Sequence, residues 1–226
     1  MNDARLISYS NTPQIGYPAL YVGENLQELI AYTARVSNPS NQNNKETSEK
    51  LLRYLIKHQH WSPFEMVSAC LEITTTRDIA RQILRHRSFS FQEFSQRYAD
   101  PTALGDGFYV REARLQDHKN RQNSIEVDSE SDLIYAWDSK QEELIAKAKD
   151  TYNWAIKAGI AKEQARAVLP EGNTESRMYM NGTLRSWIHY IELRSGVETQ
   201  KEHREVAVAC ANVIEPIFPM IKEFLK

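Results

Sequence analysis

The sequence predicts an α+β fold: a mixed, largely antiparallel sheet covered by long helices, in a single domain spanning residues 1–226. Extended segments sit near the front of the chain, and helical periodicity dominates the rest. Alternating βαβ units are not apparent, which argues against a doubly wound parallel sheet.

Taken in order, residues 4–9 and 65–76 read as strands. In the second, Val67, Ala69, Leu71 and Ile73 alternate with Ser68, Cys70, Glu72 and Thr74, so one face is buried. Between the two, Thr47 or Ser48 can cap a helix carrying Leu51, Leu52, Leu55 and Ile56, which stops before Ser62-Pro63. A helix over 77–87 follows the second strand. Residues 117–132 are polar with little periodicity and read as a surface loop. Ser139 and Glu142 form a capping-box pattern ahead of Leu144, Ile145, Ala148, Tyr152, Ala155 and Ile156, with Gly159 as the stop. A short helix ends at Leu169-Pro170, another spans 176–196, and the last starts near Glu202 and ends or bends at Pro216.

Composition excludes several classes. With 226 residues, 41% of them hydrophobic, the chain can bury a sizeable core. A net charge of −2 argues against general affinity for nucleic acid or anionic membranes. No apolar run approaches the roughly 20 residues that span a bilayer, and MNDARLISYS lacks a signal-peptide core, so a cytoplasmic location is expected. Cys70 and Cys210 form no CxxC pair and imply no disulfide framework.

The segment 85–97, Arg-His-Arg-Ser-Phe-Ser-Phe-Gln-Glu-Phe-Ser-Gln-Arg, suits neither a core nor an ordinary surface. Guanidiniums and hydroxyls can hold a phosphate or a carbonyl heterocycle, and aromatic rings can exclude water around it. Arg77, Arg81 and Arg85 lie four apart and share one helical stripe, with Gln82 and His86 on the adjoining one. A solvated charged face normally interleaves acids, yet here only Asp78 is at hand. Like charges at this spacing cost about 0.2–0.5 kcal/mol each, so the cluster reads as wanting an external anion.

Other catalytic chemistries find little support. His58 and His60 flank Gln59 without a third metal ligand, and there is no HExxH; no metal site is expected. His189 follows Arg185 by four residues, where a packing role is as good a reading as a polar one, and His118 and His203 carry no signal. Cys210 falls among Val206, Val213 and Ile217, as a small hydrophobe would. GxSxG, GxGxxG and GxxxxGK[ST] are all absent, so a nucleotide must be held by arginines and not by a glycine loop.

Arg85-His86-Arg87, seven intervening residues and Ser95 reproduce the RHRx7S signature of the flavin-dependent thymidylate synthases, the ThyX family, and Arg97 extends it. Ala34-Arg35-Val36-Ser37, His60-Trp61-Ser62-Pro63-Phe64-Glu65, Gln82, the 163–170 block and Arg185-Ser186-Trp187 with Arg194 also resemble blocks of that family, in the same order. The resemblance implies methylation of dUMP to dTMP, with 5,10-methylenetetrahydrofolate as carbon donor, NADPH as reductant and FAD as hydride carrier. It implies no cysteine nucleophile, in keeping with the two unremarkable thiols, and a homotetramer with shared active sites.

Carried over by residue, the resemblance places dUMP against Gln82, Arg85, Glu93, Phe94, Ser95, Gln96, Arg97, Arg166 and Arg194. FAD falls to Ser37, His60, Ser62, Arg85, His86, Arg87, Glu93, Thr183, Leu184, Arg185 and His189. Arg194 is the catalytic candidate, because a fixed positive charge at the uracil edge would stabilise the anion that develops as C5 becomes nucleophilic. Arg194 follows Arg185 by nine residues, about 180° around one helix, which two faces serving two chains would explain, as would a helix that ends before Arg194. Met66, Gln92, Thr183 and His189 depart from the commoner family pattern and bear on individual flavin contacts.

Two other classes stay open on the residues alone. A single-strand nucleic-acid module could use the arginines with Phe89, Phe91 and Phe94 as stacking platforms, against the acidic balance. A flavin-free hydrolase would need a carboxylate cluster, and no DxD or HD pair appears.

Overall fold

A computed structural model of the chain describes residues 2–11, 25–105 and 107–226. A four-stranded sheet of order β1-β2-β6-β3 is built from β1 (Asp3–Tyr9), β2 (Ser68–Thr76), β3 (Ser90–Glu93) and β6 (Glu175–Thr183). Every pairing in it is antiparallel. β4 (Arg114–Gln116) and β5 (Ser124–Glu126) form a separate antiparallel pair. The helices are α1 (Leu26–Ala34), α2 (Ser48–Lys57), α3 (Arg77–Ile83), α4 (Asp132–Lys157), α5 (Lys162–Ala165), α6 (Leu184–Arg194) and α7 (Lys201–Ile214). The α+β class predicted from sequence is the one observed.

The alternation in β2 does what its pattern implies. Ala69, Leu71 and Ile73 are buried, and across the ladder Met180 and Met178 of β6 oppose Leu71 and Ile73. α1, α6 and α7 add Ile30, Trp187, Ile191, Val206 and Ile214 to the same core, and Trp187 Nε1 donates to the Ala69 carbonyl at 3.0 Å. The opposite face of the sheet stays polar, with Tyr179 hydroxyl donating to Glu72 at 2.9 Å. A smaller cluster of Tyr152, Ala155, Ala165 and Leu169 seats α4 against the 162–169 segment.

Several elements differ from the sequence reading. The helix expected over 176–196 is a strand up to Thr183 and a helix only from Leu184. Buried Met178 and Met180 alternate with exposed Tyr179 and Asn181, a period of two that the adjoining helix obscures. The helix expected over 77–87 ends at Ile83, and β3 begins at Ser90 inside the arginine-rich segment. The capping box at Ser139 and Glu142 is not used: α4 starts a full two turns earlier, where Ser131 Oγ accepts from the Leu133 N–H at 3.3 Å. The polar stretch 117–132 is not all loop, since it contributes β5. Thr47 occupies the N-cap position of α2 without a capping bond, its hydroxyl accepting instead from Arg35 Nη2 at 2.9 Å.

Candidate active site

The arginine-rich segment leaves α3, turns, and enters the sheet as β3, so its side chains are split between two surfaces. Phe89 is pulled inward. Its ring meets Trp187 at 4.8 Å and lies over Gly182, where a Cβ would come within 2.4 Å of it. Phe89 is thereby a core residue and not a wall of a ligand site. Gly182 is the partner that this packing requires, because no side chain fits between β6 and the ring.

Arg85 and Arg87 are exposed on either side of His86, and among the described residues neither guanidinium has a hydrogen-bond or ion-pair partner. His86 points the other way. Its Nε2 accepts from Arg194 Nε at 2.9 Å, and its ring stands edge-on to Tyr190 at 4.9 Å. Burial, reinforced by the charges of Arg194 and Arg85, pushes its pKa down to about 4. The imidazole is therefore neutral and free to accept. Arg194 ends α6, and burial lowers its own pKa from the ordinary arginine value.

Behind this pair lies His203 on α7, fully buried, with Nε2 at 3.2 Å from the Tyr190 hydroxyl and Nδ1 at 3.3 Å from Gln82 Oε1. Gln82 Nε2 donates to Gln200 Oε1 at 2.8 Å. The structure thus brings together Gln82, His86 and Arg194 of the expected residues, and adds Tyr190, Gln200 and His203, which the sequence did not single out.

A second group lines a cavity of about 750 Å³: Glu93, Phe94, Ser95, Gln96 and Arg166 among the expected residues, with Arg77 and Arg81 in addition. Here the arginine stripe is unpaired only in part, since Arg81 has a counter-ion while Arg85 has none among the described residues. Arg81 holds both oxygens of Glu93 at 2.9 Å, and Ser176 Oγ donates to the same carboxylate at 2.8 Å. Asp78, its only apparent counter-ion in sequence, pairs with Arg111 instead, at 2.6 Å. Two donors on residues that line this cavity nonetheless stay unsatisfied beneath its surface. Arg77 is 9% exposed and Gln96 3% exposed, and Arg77 Nη1 and Gln96 Nε2 are buried without a hydrogen-bond partner. Arg77 Nη1 approaches Glu93 only to 3.8 Å. Arg97 lies outside this lining and faces Glu163 at 3.5 Å.

The remaining expected residues cluster around the start of α6. Arg185 pairs with Glu65 at 2.5 Å, and Trp61 packs edge-on to His189 at 4.5 Å, which joins the 60–65 block to α6. His60 and Ser62 are exposed beside them. Thr183 caps α6, its Oγ1 accepting from the Ser186 N–H at 3.3 Å. Leu184 is fully buried and donates its N–H to the Val67 carbonyl at 3.0 Å, so its side chain and N–H are both committed to the fold. Ser37 is exposed beyond the end of α1. Neither cysteine resembles a nucleophile: burial raises the pKa of Cys210 strongly and that of Cys70 as well.

A family profile described as "Thymidylate synthase complementing protein" matches residues 21–220. A protein of Paramecium bursaria Chlorella virus 1 named "Probable flavin-dependent thymidylate synthase" is 51% identical over 199 residues, covering 88% of this chain and 90% of its own length. The chain belongs to the flavin-dependent thymidylate synthases. The "Flavin-dependent thymidylate synthase" of a Synechocystis strain is 48% identical over 226 residues, covering 99% of each chain. Among solved structures, the UMP/dUMP methylase PolB of Streptomyces cacaoi bound with 5-Br UMP superposes with a TM-score of 0.78 at 25% identity, covering 99% of this chain and 93% of that one. As a flavin-dependent thymidylate synthase the chain is an enzyme, and among the described residues no helix is long and apolar enough to cross a membrane.

Proposed function

We propose that this enzyme methylates dUMP to dTMP, with 5,10-methylenetetrahydrofolate as carbon donor, NADPH as reductant and FAD as hydride carrier. The observation that carries the nucleotide site is the pair of orphaned donors, Arg77 Nη1 and Gln96 Nε2, on residues that line one cavity with Ser95 and Arg166. A buried guanidinium and amide left without acceptors cost about 1–3 kcal/mol each, more for the charged one, unless an acceptor arrives from outside. A nucleotide phosphate meets that need once the two side chains turn these buried nitrogens toward the cavity, and a planar guanidinium matches it with two parallel hydrogen bonds.

FAD is assigned to the exposed side of the segment. Arg85 and Arg87 offer two unpartnered guanidiniums to a diphosphate, and the 60–65 block meets the start of α6 through Arg185–Glu65 and Trp61–His189. When bound, FAD supplies the hydride chemistry; the chain supplies orientation and charge. Arg194 is the catalytic residue in this reading. Its Nε is held by neutral His86, which leaves its terminal nitrogens to stabilise negative charge on the uracil. With both thiols raised by burial, no cysteine attacks the ring.

The reading extends to a homotetramer with shared sites. Arg185 and Arg194 occupy opposite ends and faces of α6, Arg185 against Glu65 and Arg194 against His86, as two chains contributing to one site would use them. The proposed location is cytoplasmic. Omission assays test the chemistry: dTMP should form only when dUMP, methylenetetrahydrofolate, NADPH and FAD are all present. Formation of dTMP without FAD would overturn the proposal.

A further inference from the structure

The hydrogen bonds behind Arg194 form one chain whose direction is fixed by its far end. Glu202 is ionised. Burial would raise its pKa, but hydrogen bonding from Arg114, the charge of Arg111 and the Gln200 amide outweigh it and hold it at about 2. Arg111 Nη1 lies 3.2 Å from its Oε1, and Arg114 donates to the same oxygen. An ionised carboxylate only accepts, so Gln200 must turn its Nε2 toward Glu202 Oε2, at 2.9 Å.

That choice propagates. Gln200 is left with Oε1 facing Gln82, so Gln82 donates Nε2 at 2.8 Å and turns its own Oε1 toward His203. A carbonyl there requires a proton on His203 Nδ1. Nε2 is then bare and accepts from the Tyr190 hydroxyl at 3.2 Å. The result is a chain of donors running Tyr190, His203, Gln82, Gln200, Glu202, in which each bond polarises the next.

We infer that His203 is a positioning residue for substrate recognition: neutral and locked in one tautomer, it holds Gln82 so that a single amide N–H remains for the nucleotide. Gln82 Oε1 is spent on His203 and one N–H on Gln200, and Gln82, like Gln200, is partly exposed, while Tyr190, His203 and Glu202 are buried. What it offers a ligand is a donor and not an acceptor, so the group it recognises is an acceptor oxygen of the nucleotide. This rests on the assignment of Gln82 to the dUMP site.

The test is the affinity of the FAD-loaded enzyme for dUMP, measured by titration calorimetry, beside its affinity for FAD. His203→Phe cuts the chain and should weaken dUMP at least tenfold while FAD affinity stays within twofold. His203→Asn, which keeps an N–H where Nδ1 lies, should recover most of the loss, a rescue that a purely structural role would not give. Should His203→Phe fail to fold, Gln200→Met cuts the chain nearer the surface and should weaken dUMP by a similar factor. Variants that fold and bind dUMP as the native enzyme does overturn the inference. A native FAD-loaded enzyme that binds no dUMP overturns instead the assignment beneath it.

Discussion

Arg194 Nε donates to His86 Nε2 at 2.9 Å, and the imidazole that receives it is held neutral by burial and by two neighbouring guanidiniums. A charged imidazole could not accept this bond, so the burial of His86 is what gives Arg194 a fixed orientation. In the proposed role of Arg194, the RHR segment acts through its middle residue, while its two arginines are exposed.

Arg194→Lys follows directly. Lysine keeps the charge but has no Nε donor and no planar fork, so it cannot be held by His86 while pointing at a ligand. We expect dTMP turnover to drop at least tenfold with FAD affinity unchanged, measured by steady-state kinetics and flavin absorbance. Turnover like that of the native enzyme would show that charge alone suffices.

The candidate site was legible in sequence where family blocks mark it and not where only folding brings residues together. Gln82, His86, Ser95 and Arg194 were named through family blocks, the first three within or beside the RHRx7S signature and Arg194 after the Arg185-Ser186-Trp187 block. His203 carried no signal: its partners Tyr190 and Gln82 lie 13 and 121 positions away, and only folding brings them together. The arginine stripe misled at Arg81, because Glu93, 12 residues later, becomes its counter-ion only once β3 folds back on β6. In the fold, β2 was readable from its alternation. β6 was not, because it passes into α6 with no break and Thr183 caps the helix from within the strand's last position.

Arg77→Met and Gln96→Leu remove the two unsatisfied donors in the cavity and should each weaken dUMP about tenfold or more, read by calorimetry. If the phosphate lies elsewhere, these replacements leave dUMP affinity unchanged and raise stability, since an unpaired buried polar group is gone. Ser95→Ala should also weaken dUMP without abolishing turnover. A covalent adduct on Ser95 in mass spectra would contradict this role.

Gly182→Ala forces a methyl group to within 2.4 Å of the Phe89 ring. Overpacking of this kind costs about 1–3 kcal/mol, visible as a lowered thermal midpoint. Because Phe89 anchors the turn that carries Arg85 and Arg87, FAD affinity should fall with it. An unchanged midpoint would mean that the ring moves freely.

Stability should fall as pH drops below 6.5. Burial, together with Arg194 and other nearby cationic or imidazole groups, depresses His203 to about 3 and His86 to about 4, from an ordinary 6.5. The unfolded chain therefore takes up protons first, and the folded state loses ground from 6.5 downward. Glu202, held at about 2 against an ordinary 4.5, adds its own loss only below 4.5. Thermal midpoints between pH 6.5 and 4.5 thus report the histidines, and His203→Asn should flatten the slope. A native enzyme equally stable across that window would refute the buried neutral state of both rings.

The most direct test of the whole account is dTMP formation by Arg194→Ala in the presence of all four reactants. The account predicts a flavin-loaded protein, with native absorbance, whose turnover is lost by about 10²–10³ or more, the scale expected when a group stabilising developing charge is removed. Turnover retained in that variant would contradict it.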